Sequence, residues 1–173
     1  MSTVLAKADI QRLLQQQPPL FEGYINLDEQ MQPNGFDLTL RDIAVFQSAG
    51  SLGASNAQRR LPDLQPLSFD KHGFRRLPAG IYLVTFNEVV NLPKNVMALA
   101  RPRSSLLRSG VTVDSAVWDA GYCGRSQSLL IVYNPEGFRV QQNARLLQLV
   151  FFQLTQATDG YNGQYQGENI SRA

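Results

Sequence analysis

Short runs with β-type patterning, each closed off by a proline, glycine or asparagine turn, follow one another through most of this chain. Phe36, Leu38 and Leu40 alternate with Asp37 and Thr39, the period of two that a half-buried strand requires. The same logic predicts strands at 43–46, 81–86, 96–99, 111–117, 129–133 and 146–154. Turn signals part them at Pro33-Asn34-Gly35, Pro78-Ala79-Gly80, Leu92-Pro93-Lys94-Asn95 and Asn134-Pro135-Glu136-Gly137. Only residues 4–16 carry helical spacing, with Leu5, Ile10, Leu13 and Leu14 on one stripe. Pro18-Pro19 stops that helix, because proline lacks the donor and disfavours a helical turn before it. A short N-terminal helix (within 1–18) followed by many short strands predicts an all-β fold, a distorted barrel or jelly-roll-like sandwich. At 173 residues a single domain over 1–173 is expected.

Two regions stand outside the scheme. Residues 48–76 are rich in Ser, Gly, Pro and mixed charge, so a long loop is expected, with one short strand near 66–69. Residues 158–173 hold too few aliphatics for core; their glycines and tyrosines suit a flexible arm that closes over a ligand.

Composition excludes several chemistries. A net charge of +2 is too small to imply nucleic-acid or membrane binding, and the longest apolar runs fall far short of a membrane span. The N-terminus reads as helix rather than as a secretory signal. One cysteine, Cys123, forbids an intrachain disulfide and fits a reducing cytoplasm. His72 and Cys123 are too few to ligate a deaminase zinc, and neither a Walker loop nor a G-x-S-x-G elbow occurs. His72 sits in a polar stretch and reads as a surface residue.

Residues 101–124 remain the richest in chemistry. Arg103, Ser104, Ser105 and Arg108 offer guanidinium forks and hydroxyls suited to phosphate oxygens, or else form a solvated basic turn. Asp119 can accept a proton from water, although Asp-Ala-Gly also reads as a turn. Tyr122 can pack on a sugar or simply enter the core. Gln148 interrupts an apolar strand and needs hydrogen-bond partners, and Asp37, polar in mid-strand, must be exposed or paired.

Met31 to Leu154 resembles the dUTPase and dCTP deaminase superfamily, most closely its archaeal, deaminase-like dUTPase branch. The resemblance rests on Gln32-Pro-Asn-Gly-Phe-Asp-Leu-Thr-Leu40, Leu77-Pro-Ala-Gly80, Leu92-Pro93, Arg103-Ser-Ser-Leu-Leu-Arg-Ser-Gly110, Trp118-Asp-Ala-Gly-Tyr-Cys-Gly124 and Asn143-Ala-Arg-Leu-Leu-Gln-Leu149, in that order. It implies a distorted β-barrel of the dUTPase (β-clip) type, a homotrimer and active sites shared between subunits. It assigns phosphate binding to Arg103, Ser104, Ser105, Arg108 and Gln148, and catalysis to Asp119. Tyr122 would exclude a 2′-hydroxyl, and 111–118 would form a hairpin edge that reads the base. There Val117 and Trp118 fall in the deoxyribose and base region, with Val111, Val113 and Val117 as the packed side and Trp118 as scaffold. Asp37 would stand near the metal and arginine network, and Arg145 would be an ion-pair partner. Tyr161, Tyr165, Gln166 and Ser171-Arg172 resemble a closing arm, with Gln164 where a lysine is expected.

Deaminases of the superfamily carry a glutamate three residues before the asparagine of a Tyr-Asn pair. Here the pair is Tyr133-Asn134 and the matching residue is Ile131, which cannot shuttle protons. The resemblance therefore implies dUTP hydrolysis to dUMP and pyrophosphate, with Mg²⁺ held by the substrate phosphates and no dedicated protein cage. The alternatives are deamination of dCTP, alone or with dUTP hydrolysis, and a non-catalytic nucleotide-binding regulator on the same fold.

Overall fold

A computed structural model describes residues 3–170 of the chain. The elements are β1 (Thr3–Val4), α1 (Lys7–Leu14), β2 (Phe21–Glu22), α2 (Leu27–Gln30), β3 (Met31–Gln32), β4 (Gly35–Phe46), β5 (Leu64–Leu67), β6 (Phe74–Leu77) and β7 (Gly80–Phe86). They continue with β8 (Val89–Asn91), β9 (Val96–Pro102), α3 (Ser104–Arg108), β10 (Val111–Asp114), β11 (Cys123–Gly124), β12 (Gln127–Val132), β13 (Phe138–Gln141) and β14 (Arg145–Gln153).

The fold is mostly β, an antiparallel sheet curled into a half-barrel. Its path runs β1-β14-β4-β7-β12-β10, with β9 also on β14 and β3 and β5 also on β4. Strand β14 is the hub. Residues 147–153 pair with β9 on one edge, and β4 and β1 follow one another along the other. Smaller ladders, β11-β8-β2 and β13-β6, close the ends. Among the described residues the core gathers Phe21, Phe36 and Phe151, with Phe21 stacked on Phe36 at 4.1 Å between ring centres and edge-on to Phe151 at 5.7 Å.

Several boundaries differ from those the pattern predicts. The helix is shorter than 4–16, because Thr3 and Val4 pair with Phe152 and Gln153 before α1 begins. The runs 36–40 and 43–46 are one strand: a register shift between Leu40 and Asp42 turns Arg41 and Asp42 to solvent and returns Ile43 to the core. The expected solvent side of 36–40 is also covered, with Asp37 and Thr39 buried. The strand at 111–117 ends at Asp114, and Val117 is half exposed rather than packed. The loop 48–76 contains β5, the start of β6 and a Ser51–Arg60 bridge, and the short strand lies at Leu64–Leu67 rather than 66–69.

A polar cluster fixes β4 against its surroundings. Glu88, fully buried, accepts from the Thr39 N–H (2.9 Å), Thr39 Oγ1 (2.6 Å) and Gln30 Nε2 (2.7 Å). Gln30 Oε1 in turn accepts the N–H groups of Ile25 and Asn26, both at 2.8 Å. Burial pushes the Glu88 carboxyl above its ordinary range, and the Thr39 hydrogen bonds pull it back.

Candidate active site

After β10 the chain leaves the ladder and rejoins it at one point. Trp118 and Ala98 exchange both backbone hydrogen bonds, at 2.9 and 3.1 Å, which pins the start of the Trp-Asp-Ala-Gly-Tyr segment onto β9. A tight turn follows, with the Tyr122 N–H donating to Asp119 O at 3.1 Å. Gly121 occupies its third position at φ +84°, the left-handed conformation that such a turn demands there. The turn sends the Asp119 carboxylate out to solvent at the edge of a pocket of about 410 Å³ and folds the Tyr122 ring inward. Among the described residues the Asp119 carboxylate makes no hydrogen bond or ion pair, so it is free to take a water.

The pocket is largely apolar. Phe46, Leu61, Leu64 and Leu83 line one side, and Val117, Trp118 and Tyr122 the other. Two polar atoms on residues lining it, Trp118 Nε1 and Ser126 Oγ, are buried without a hydrogen-bond partner among the described residues. Buried polar atoms are normally paired, so these two stand as unmet hydrogen-bonding groups behind the pocket wall.

Residues 158–170 lie along the Asp119–Arg125 segment and complete the pocket. The Tyr161 N–H donates to Ala120 O (2.8 Å), the Gly167 N–H to Cys123 O (2.7 Å), and the Arg125 N–H to Glu168 O (2.9 Å). Gln166 clasps the same strand, accepting the Cys123 N–H at 2.9 Å and donating to Gly121 O at 3.0 Å. A Cβ at Gly121 would stand 2.6 Å from Gly160 Cα, so this close approach needs glycine as much as the turn does. Tyr161, Tyr165 and Glu168 line the pocket. The Tyr122 hydroxyl donates to Glu168 Oε1 at 2.8 Å. Burial, then the neighbouring carboxylate, pushes the Tyr122 phenol far above its ordinary range and keeps it a donor. Burial also raises the Glu168 carboxyl, against the pull of that hydrogen bond. The Ser171-Arg172 pair lies outside the described residues.

The basic residues gather elsewhere. Arg103 precedes α3, on which Ser104, Ser105 and Arg108 are exposed. Arg103 pairs with the buried Asp37, and Arg145 reaches the same carboxylate at 3.5 Å and the Glu29 backbone. Burial pushes Asp37 up to about 6 although both guanidiniums pull it down. Gln148 stands in register between Asp37 and Arg101 and packs against Gly35. None of these residues lines the pocket. Trp118 is bridged to Ala98, and Arg103 lies five residues further on, just past the end of β9, roughly 16 Å away at a strand's rise per residue. Within one chain the carboxylate and the basic cluster lie apart.

The sequence profile of the dCTP deaminase-like family matches residues 4–154. The chain belongs to this family. A protein of Methanosarcina mazei named probable deoxyuridine 5'-triphosphate nucleotidohydrolase is 49% identical over 169 residues, covering 97% of this chain and 99% of its own. Among solved structures, the 2'-deoxycytidine 5'-triphosphate deaminase of Agrobacterium tumefaciens superposes with a TM-score of 0.65 at 23% identity, over 88% of this chain. This chain spans 48% of that deaminase's length. The EIAV dUTPase superposes with a TM-score of 0.51 at 14% identity, over 83% of this chain and 95% of that one. Both superpositions carry the fold and nothing more specific.

Ile131 sits in β12 between Ile81 and Thr112 and is not part of the pocket wall; from that strand Gln127 is. The pocket's other carboxyl, Glu168, was not singled out by sequence reasoning, since one acid among glycines and tyrosines carries no local signal. Ser126, Gln127 and the apolar side from Phe46 to Leu64 were missed for the same reason. His72 stays outside the pocket, on an exposed turn capped by Asp70.

Proposed function

We propose that this chain is a dUTP diphosphatase, cleaving dUTP to dUMP and pyrophosphate. The observation that carries the reading is the solvent-facing, unpaired Asp119 at the rim of an apolar pocket floored by Tyr122. The 49% identity to a protein named as a dUTP nucleotidohydrolase, nearly end to end in both chains, supports the same substrate. Asp119 takes a proton from water, the water oxygen bonds to the α-phosphorus, and the bond from that phosphorus to the β-phosphate oxygen breaks. Tyr122, held by Glu168, packs its ring where the sugar would lie and leaves no space for a 2′-hydroxyl. Deamination needs a proton shuttle beside the base; β12 carries no acid, and the pocket's second carboxyl, Glu168, is bound to the Tyr122 hydroxyl.

Arg103, Ser104, Ser105, Arg108 and Gln148 bind the triphosphate in this reading, and a second subunit brings them to Asp119 in a homotrimer. Among the described residues no three His, Cys, Asp or Glu side chains converge. In this reading a Mg²⁺ ion would take its donors chiefly from the phosphate oxygens, as this hard cation commonly does, with Asp37 of the arginine network as the nearby carboxylate. When bound, it neutralises phosphate charge. The single cysteine suits a cytoplasmic enzyme. Among the described residues no helix is long and apolar enough to cross a membrane.

The test is incubation of the purified chain with Mg²⁺ and either dUTP or dCTP, with products resolved by anion exchange. dUMP from dUTP with dCTP unchanged is expected. Conversion of dCTP to a uracil nucleotide would overturn the assignment of the pocket, and no product from either would favour a binding role.

A further inference from the structure

The pocket is covered from two sides by segments about a hundred residues apart: the loop carrying Leu61 and Leu64, and the arm carrying Tyr161, Tyr165 and Glu168. One side chain joins them. Arg59 leaves a short 3-10 turn, Asn56–Gln58, and its guanidinium is fixed at the base by Nη2 donating to Asn56 Oδ1 at 2.7 Å. Its other terminal nitrogen donates to Gln164 of the arm. Its Cζ lies 5.8 Å from the centre of the Tyr165 ring, within cation–π range. Residues 158–170 carry Asp159 and Glu168 and no lysine or arginine, so a polyphosphate beside them would meet like charge. Arg59 brings a cation to that arm from outside it.

We infer that Arg59 is a positioning residue: it latches the C-terminal arm to the 48–64 loop and holds Tyr165 on the pocket before substrate arrives. The arm's other contacts along Asp119–Arg125 secure its root and its end, through Tyr161, Gln166, Gly167, Glu168 and Asn169. Between them, Gln164 and Tyr165 are the stretch that faces the loop. An arm already ordered by Arg59 spares the bound nucleotide that ordering, so the latch acts on apparent affinity rather than on the chemical step. The kinetic consequence rests on the dUTP reading of the pocket; the latch itself does not.

Limited chymotrypsin digestion of the full chain reads the arm directly, because Tyr161 and Tyr165 are cleavage sites whose products, residues 162–173 and 166–173, are identified by mass. Arg59→Ala should speed release of these fragments about fivefold, the scale of one exposed charge-assisted contact plus a cation–π contact. Arg59→Lys, which keeps the cation and loses the fork, should fall between, and Arg60→Ala, the same charge change one residue on, should match wild type. With dUTP, Arg59→Ala should raise KM with kcat unchanged. Cleavage at the wild-type rate in Arg59→Ala, or equal acceleration by Arg60→Ala, overturns the latch. A fall in kcat at constant KM also overturns it, placing Arg59 in the chemistry. Faster cleavage in a chain that does not hydrolyse dUTP supports the latch while removing the dUTP reading.

Discussion

Asp119 and Asp37 show how two aspartates of one chain come to opposite tasks through burial. Asp119 faces solvent with no partner among the described residues, so its carboxylate is available to a water. Asp119→Asn keeps the shape and removes the base; kcat for dUTP should fall by about a thousandfold, within the range for loss of a positioned general base, while nucleotide binding by equilibrium dialysis persists. Asp37 is buried and pushed up to about 6, against an ordinary carboxylate value of about 4 in the unfolded chain. Between those two values the folded protein holds a proton that the unfolded chain has released. This group's contribution to stability is therefore present below about pH 4 and is lost as pH rises through about 6. Asp37→Asn removes that dependence, so the wild-type-minus-variant difference in unfolding free energy should decline from pH 4 to 6 in urea titrations. A flat difference would mean that the Arg103 and Arg145 pairing outweighs burial. The turn that joins Asp119 to Tyr122 was legible in the sequence, because Asp-Ala-Gly is local turn chemistry; the roles of the two side chains came only from the family resemblance. Glu168 was not, since its meaning comes from a hydroxyl 46 residues away.

At the scale of elements, the turn at 119–122 and the arm depend on one another through Gly121. Alanine there must adopt a left-handed φ and also meets the Gly160 backbone at 2.6 Å. Gly121→Ala should cost about 1–2 kcal/mol, read as a lower urea midpoint, and should free the arm to chymotrypsin. Strong alternation made the centre of the sheet legible: β7, β9, β12 and β14 lie where Ile81, Val96, Leu129 and Leu146 begin their runs, give or take a few residues. Strand β4 read as two because its bulge breaks the period at Arg41, a feature that only pairing with β7 explains. Strands β2, β3, β8 and β11 are two or three residues long and cannot display a period at all. The 48–76 loop looked unstructured for a related reason. Its order comes from partners far along the chain, β4 for β5 and β13 for β6.

For the whole molecule the separation of Asp119 from the basic cluster is the governing fact. Arg103 follows the end of β9 and Arg108 lies on α3, while Asp119 follows Trp118, which is bridged back at Ala98; roughly 16 Å of β9 backbone separates Ala98 from Arg103. In the proposed dUTPase reading, a triphosphate held by the basic cluster is attacked from Asp119 when a second copy supplies the other half. Ile81, Leu107 and Tyr133, large apolar or aromatic side chains, are each more than half exposed. The arrangement predicts complementation. Asp119→Asn and Arg108→Ala each disable one half-site, and Arg108 is exposed, so neither change should disturb the fold. Each variant alone should be nearly inactive. Mixed by co-expression or by dissociation and reassembly, they should regain about a quarter of wild-type kcat, the random-pairing fraction for a two-subunit site in a closed symmetric oligomer. Activity that stays at the level of the separate variants, in oligomers shown by mass to be mixed, would mean that each chain completes its own site and that Arg108 reaches Asp119 by a rearrangement of the 103–118 segment.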